Sequence, residues 1–413
     1  MIQHITTEVA VIGAGVIGLA IAERLTAEGR DVVLVDPADP GSGASYGNAG
    51  TIADYAVMPV GSPDVLKNLP SLLFDRNSPL AIRRAALPSL APWLLRFAAQ
   101  SLPAATRRNA AAIAALVADA CPSWQALAHS IDGAAILQNR GCLYLYETAK
   151  AFRAAETDMA FRRSLGISVE LVSPDTLATM EPGLPRVEGG AAFFPKAVFM
   201  SDPGQMVGLL ATHVTARARI VRATAMGMER QVDGMIVHGP GLRLHARSVV
   251  IAAGAHSRAL AASAGDRVPL DTERGYHVEW DMPTPRLSRP ACPTTRGFYL
   301  CPMDGRLRVA GTVELGGLTA PPSPHRIAKL IEGARAIFPD LPAPSREWMG
   351  FRPSMPDSLP VIGPSRAGRD VIHAYGHGHI GLTLAPITAR LVADLVAGRT
   401  PSVDLAPYLP TRF

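Results

Sequence analysis

The sequence predicts an α/β protein. A nucleotide-binding sheet, assembled from separated stretches of chain, is interrupted by an α+β domain with a large mixed or antiparallel sheet. Three observations carry this. The chain opens with an apolar strand, a glycine-rich turn, a helix and a second apolar strand. Alanine- and leucine-rich helical segments and short strands fill the middle. Near the C-terminus a run of small residues leads into one long apolar helix.

The opening unit is Val9-Ala-Val-Ile12, then Gly13-Ala14-Gly15-Val16-Ile17-Gly18, then helical spacing over 19–28 with Gly29 as a C-terminal stop, then Asp31-Val-Val-Leu-Val-Asp36. A G-x-G-x-x-G alone is weak evidence. Strand, helix and second strand around it make a Rossmann-like βαβ unit. Gly13 makes the tight strand-to-helix turn, Gly15 lets backbone approach a pyrophosphate, and Gly18 lets helix pack on strand. The helix N-terminus faces the anion. Asp36 closes the second strand, followed by Pro37. A carboxylate there accepts hydrogen bonds from ribose hydroxyls and repels a 2′-phosphate, which argues against NADP. The bland alternative is a solvated strand-end Asp. A second small-residue loop follows, Gly41-Ser-Gly-Ala-Ser45-Tyr-Gly-Asn48-Ala49-Gly50. It is too close to the first to belong to another mononucleotide fold, and its lack of bulk suits close contact with a flat ring or a diphosphate.

From 58 to about 200 the composition shifts. Helical segments are expected over 80–100 and 106–129, and a strand over 141–146. Ser201-Asp202-Pro203 reads as a helix N-cap with Pro in the first turn. Strands are expected near 219–228 and 235–238, with a buried strand Ser248-Val-Val-Ile-Ala-Ala253 ending at Gly254. Residues 275–280 and 297–313 are β-rich again. The nucleotide-domain pattern returns at 350, with a last helix over about 384–397. No internal repeat or low-complexity linker interrupts this order.

Composition excludes several classes. The chain has 413 residues and a formal charge of +5, but only four of its 40 basic residues are lysines, and the Arg pairs are dispersed in sequence. That is not the clustered basic face with aromatic partners of a nucleic-acid binder. The four cysteines, Cys121, Cys142, Cys292 and Cys301, show neither C-x-x-C nor metal spacing, so reduced structural thiols and no metal are expected. No window holds 18 uninterrupted apolar residues, and residues 1–8 are too polar for a signal peptide. The expectation is a soluble cytoplasmic protein. Gly-x-Ser-x-Gly and His-Glu-x-x-His are absent, which removes the hydrolase and zinc readings.

The motifs that specify chemistry lie late in the chain: Gly350-Phe351-Arg352-Pro353, Pro356-Asp357, Pro360-Val-Ile-Gly363, and Val371-Ile-His-Ala-Tyr-Gly376-His377-Gly378-His379-Ile380-Gly381-Leu382-Thr383. Arg offers a planar fork that meets a carboxylate through two parallel bonds and keeps its charge when desolvated. In order and spacing these segments resemble the D-amino-acid oxidase family of FAD-dependent amine oxidoreductases, and the resemblance covers most of the chain. It implies non-covalent FAD, because the C-terminal Cys through which sarcosine-oxidase relatives tether flavin is missing. It implies that Arg352 clamps the substrate carboxylate. It also implies that Gly376–Thr383 wraps the flavin ring, with the last helix pointing its N-terminus at the flavin. Ser45, Asn48, Ala49 and Gly50 would run beside the flavin, and Ala253 and Gly254 under the diphosphate.

By the same resemblance the cofactor domain spans 1–57, 201–268 and 350–413, and the substrate or capping domain 58–200 and 269–349. Tyr55, Arg274, Tyr276 and Tyr299 are pocket candidates by position, with structural packing as the alternative for each. His377 could serve as a base, although the expected transfer of hydride from Cα to flavin N5 does not require one. His379 either reaches the pocket or faces out.

The implied activity is oxidative deamination of D-amino acids, as a dehydrogenase rather than an oxidase, with cyclic substrates such as D-hydroxyproline or D-proline favoured. The implied acceptor is a quinone or an electron-transfer protein. Residues 87–102 are expected to form a core or dimer helix, and would be the segment for peripheral contact with the inner membrane face if the acceptor is a quinone. Another amine (glycine, sarcosine, an opine), or a place in a larger complex, remains the rival reading.

Overall fold

A computed structural model describes residues 3–67, 78 and 80–413. Its first sheet has eight strands. Strands Arg219–Arg222, Val32–Asp36, Gln3–Ile12 and Leu242–Ile251 lie side by side and parallel. The long strand Leu242–Ile251 then forks. Its first half pairs antiparallel with Gly234–Gly239, which in turn pairs with Gly227–Gln231. Its second half pairs parallel with Gly368–Tyr375, which carries Val361–Ser365. Both faces are covered, which is why these strands read as unbroken apolar runs. Val9, Val11, Leu34 and Val250 pack under helices Val16–Ala27, Pro203–Thr215 and Gly381–Val396. Ala10, Ile12, Val33, Val35 and Ile251 face the opposite core with Met228, Val237 and Leu260.

The second sheet has nine strands in the order Arg346–Ser354, Asp271–Asp281, Arg306–Leu315, Phe298–Met303, Ala291–Pro293, Cys142–Leu145, Ala191–Phe194 and Glu170–Val172. Leu80–Ile82 is added parallel to Arg306–Leu315. It is mixed, mostly antiparallel, and helix Pro324–Arg335 packs on its back through Ile327, Leu330 and Ala334. A three-stranded sheet of Thr51–Ile52, Val198–Met200 and Leu137–Gln138 joins the two halves.

Several expected boundaries move. Strand Arg346–Ser354, which carries Arg352, pairs along its length with Asp271–Asp281 and so belongs to the second sheet; a boundary at 350 would cut it in two. The expected helix over 80–100 resolves into strand Leu80–Ile82 and helix Leu87–Gln100, and that over 106–129 into helices Pro103–Val117 and Ala120–Ser130. Helix Ala120–Ser130 packs into the core of the first sheet. Its buried Trp124 donates its indole N–H to the Leu382 carbonyl at 2.7 Å. That carbonyl would otherwise face Pro386, four residues on, which has no N–H to give it. Asp202 caps helix Pro203–Thr215, accepting from Gln205 N, with Pro203 at the first position as expected. The stretches Pro103–Ser130 and Gly378–Val396 are long and apolar enough by composition to cross a membrane; 44% and 61% of their most apolar windows lie buried within the protein.

Candidate active site

One cavity of about 1410 Å³ runs between the two sheets. One end is formed by residues 12–17 and 35–39 at the carboxyl ends of the first strands, where parallel sheets of this kind receive their ligands. It continues along 41–49 and 252–256. It ends against 275–276, 310–313, 348–353 and 374–383, with a further wall from 53–56, 144–162 and 292–299. Of the expected cofactor-binding residues, only Gly18, Gly50 and Gly376 are not on its wall.

The glycines earn their places by contact. Gly13 has φ +111°, and a Cβ there would lie 2.4 Å from the Ala252 carbonyl oxygen; a Cβ on Gly18 would lie 1.8 Å from that of Gly13. Gly15 meets nothing closer than Ser45 Oγ, so its backbone is open towards the cavity. Helix Val16–Ala27 has no side-chain cap from its own N-cap residue; instead Ser45 Oγ accepts from Val16 N at 2.9 Å. The remaining N–H groups of that first turn are available to an anion. Asp36 accepts from Ala14 N at 2.7 Å and Ala38 N at 2.8 Å. A carboxylate has lone pairs to spare for ribose hydroxyls after that.

The loop 41–50 is tied to the second sheet. Trp348 stacks on His277 and covers Gly47, where a Cβ would meet the indole at 2.3 Å. His277 bonds the Gly47 carbonyl, and the buried Arg308, paired with Glu279, donates to the Asn48 carbonyl. Asn48 Oδ1 accepts from Gly50 N at 2.8 Å. Two hydroxyls on the cavity wall, Thr51 Oγ1 and Thr312 Oγ1, are buried without a hydrogen-bond partner among the described residues. Gly376 and Gly378 sit at positive φ, and helix Gly381–Val396 starts uncapped on the same wall. Its free N–H groups and dipole favour negative charge in front of them. An elongated cradle with two helix N-termini on its wall, each with first-turn N–H groups to spare, and orphaned hydroxyls fits FAD.

Arg352 lies across Gly275, where a Cβ would come within 2.5 Å of the guanidinium, and donates through Nη1 to the Thr312 carbonyl at 3.2 Å. It makes no ion pair with any described residue. Burial pulls its pKa down; the nearby Glu273 offsets part of this, and that buried carboxyl is itself pushed up by burial. Thr312 has φ +58°, a strained conformation for a β-branched residue, opposite a bulge between Arg274 and Tyr276. His379 stands on the same wall, open to the cavity. Low-polarity surroundings and then the Arg352 charge hold its pKa at about 4, so it is neutral near pH 7. His377 points instead into the last helix, bonded to Thr388 Oγ1 at 3.0 Å, and burial lowers its pKa to about 3. A base role for His377 has no geometric support.

The tyrosines divide. Tyr276 belongs to the wall, but its hydroxyl donates to Glu314 at 2.7 Å and accepts from Ser323 N, so it does not point at the Arg352 pocket. Arg274 is fully buried outside the cavity, bonded to Glu314 and to the Ala320 and Pro321 carbonyls; it is a structural ion pair. Tyr55 lines the cavity, stacks on Phe194 and donates to Cys142 Sγ at 3.0 Å. Tyr299 donates to Tyr144 Oη at 3.1 Å. Burial raises the pKa of the Tyr55, Tyr144 and Tyr299 phenols, so they are neutral. Cys292 is the cavity thiol, and burial keeps it protonated and a poor nucleophile.

Sequence reasoning missed Arg162. It comes from helix Ala149–Ser164, is 6% exposed, bonds Asp158 and the Tyr55 carbonyl, and lies over the Tyr144 ring. The Arg162-Arg163 pair gave no signal, because only tertiary packing turns one of the two inward.

Residues 8–395 match the family described as FAD dependent oxidoreductase. The chain belongs to this family. It is 37% identical to a D-amino-acid oxidase of Bradyrhizobium diazoefficiens, across 98% of each chain. It is 31% identical to D-amino acid dehydrogenase 2 of Ralstonia nicotianae, across 98% of this chain and all of the relative. Among solved structures it is similar to glycine oxidase from Geobacillus kaustophilus, with a TM-score of 0.76, 26% identity and 99% of each chain covered. It is therefore an FAD-dependent oxidoreductase with an α/β cofactor fold and a large mixed sheet over the cofactor.

Proposed function

We propose that this protein oxidises D-amino acids to imino acids, with cyclic substrates such as D-hydroxyproline or D-proline favoured. Arg352 carries the reading. A desolvated guanidinium with no ion pair to any described residue, whose neighbour Glu273 is pushed towards its neutral form by burial, lies on the wall of an FAD cavity and calls for an anionic partner; a substrate carboxylate supplies one through two parallel bonds. The relatives named for D-amino acids, at 37% and 31% identity, support the choice of substrate hand.

FAD, when bound, supplies the two-electron acceptor. Arg352 would hold the carboxylate and so orient the Cα–H bond that is oxidised, while the amine gives up a proton. Such alignment contributes up to roughly 7–11 kcal/mol in well-oriented systems. Neutral His379 beside Arg352 can accept from the amine, and Tyr144, already an acceptor from Tyr299, retains its own proton for a ring hydroxyl.

The acceptor in this reading is a quinone or an electron-transfer protein. The relative named as an oxidase carries the second reading, with oxygen in that place. Anaerobic mixing with a panel of D- and L-amino acids, glycine, sarcosine and opines tests the proposal. Bleaching of the flavin by D-amino acids, fastest with the cyclic ones, is expected. Bleaching by glycine, sarcosine or an opine and by no D-amino acid would overturn it. Hydrogen peroxide on admission of air, at the turnover rate, would select oxygen.

A further inference from the structure

Away from the FAD cavity, a cleft of about 220 Å³ lies between helix Leu87–Gln100 and the segment from helix Ser257–Ser263 to the start of strand Asp271–Asp281. Arg96, Arg258, Arg267, Trp93, Ser89 and Asp271 line it. The protein is rich in arginine, and several of its exposed guanidiniums pair with carboxylates, among them Arg346 with Asp281, Arg399 with Glu28 and Asp394, and Arg286 with Asp340. Arg96, Arg258 and Arg267 do not. Each converges on this cleft without a hydrogen bond or ion pair to any described residue.

A second observation is independent of charge. Trp93 is 5% exposed, lines the cleft, and its indole N–H is a buried donor with no acceptor among the described residues. An unmade hydrogen bond of this kind is costly unless a ligand completes it. Asp271 is the cleft's lone carboxylate. It already accepts from its neighbour Thr272 N, and burial raises its pKa. Three guanidiniums against one carboxylate leave the cleft at least doubly positive.

We propose that this cleft binds a phosphate group. A tetrahedral dianion takes bonds from several planar forks at once, and the indole N–H supplies a further donor at the cleft wall. The group would bridge the helix of the second domain to the segment that follows Gly254–His256 on the cofactor wall. It can come from a soluble phosphate or from a lipid headgroup. Leu95, 74% exposed and next to Arg96, gives the second source a hydrophobic contact.

The test uses the FAD-loaded protein. Inorganic phosphate is titrated calorimetrically against chloride at equal ionic strength, and sedimentation is measured with phosphatidylglycerol and with phosphatidylcholine vesicles. The comparison variants are Arg258→Gln with Arg267→Gln, and separately Trp93→Phe, which keeps the ring and removes the donor. Saturable phosphate binding, weakened about tenfold or more by the double variant and by a smaller factor by Trp93→Phe, is expected for a soluble ligand. Sedimentation with phosphatidylglycerol alone, lost in the double variant, would assign the site to a headgroup. Neither binding event in the wild type, or binding unchanged in variants that keep flavin and activity, would overturn the proposal.

Discussion

Truncating Arg352 to alanine removes the one cation on the cavity wall that lacks an ion pair with any described residue. What the protein loses on its own is small. Arg352 makes one bond within the fold, to the Thr312 carbonyl at 3.2 Å, and the carbonyl can turn to water once the side chain is gone. What the bound substrate loses is large, because its carboxylate must be desolvated beside a flat apolar ring with no paired charge. Removing one partner of such a buried pair costs about 2–5 kcal/mol. On that scale kcat/KM falls roughly 30- to several-thousandfold, with FAD content unchanged. Arg352→Lys should lose less, because charge remains while the fork does not.

Steady-state kinetics on a D-amino acid, with flavin content measured on the same samples, reads the effect. An amine without a carboxylate should be a poor substrate of the wild type and nearly indifferent to the substitution. Wild-type kcat and KM in Arg352→Ala would refute the clamp, and with it the argument for amino-acid oxidation. Loss of FAD in that variant would refute the claim that Arg352 serves substrate rather than cofactor.

Asp36→Ala should weaken FAD binding about ten- to a hundredfold, the equivalent of roughly 1.5–3 kcal/mol for bonds to a charged group. Flavin fluorescence on dilution reads this, with all flavin freed by acid precipitation in both proteins; an unchanged affinity removes Asp36 from the ribose. Asp54 is buried enough to raise its pKa from 3.8 to about 6, so its contribution to stability is present below about pH 4 and lost as pH rises through 6. Asp54→Asn should therefore match the wild type in Tm near pH 4 and exceed it at pH 8, by up to roughly 3 kcal/mol; an equal difference at both pH values rules the burial argument out.

Much of the cofactor half was legible because its signals are local. The glycine turn, the apolar strands, Asp36 at a strand end and the run into the last helix each declare themselves within about ten residues. The second sheet was harder. Strand Arg346–Ser354 lies next in sequence to the cofactor domain, yet its partner is Asp271–Asp281, some 75 residues earlier, and such pairing leaves no mark in composition. Arg162 was invisible for the same reason.

Arg274 and Arg352 show where sequence reasoning stops. Both are arginines on neighbouring strands of one sheet, one next to Gly275 in sequence and the other packed across it. Side chains alternate along a strand, so Gly275 and His277 face the cofactor side while Arg274 and Val278 face the back, where the Tyr276 hydroxyl also makes its bonds. Glu314 stands on that back, and it takes both Arg274 and the Tyr276 hydroxyl. Arg274 is thereby neutralised and spent on structure. Arg352 crosses over Gly275, which has no side chain to block it, and arrives in the cavity without an ion pair to any described residue, its neighbour Glu273 being pushed towards its neutral form by burial. The two arginines therefore differ in function through strand phase and one opposing carboxylate. If that is the cause, Glu314→Gln should loosen Arg274 and Tyr276 and lower stability while leaving the carboxylate selectivity set by Arg352 in place.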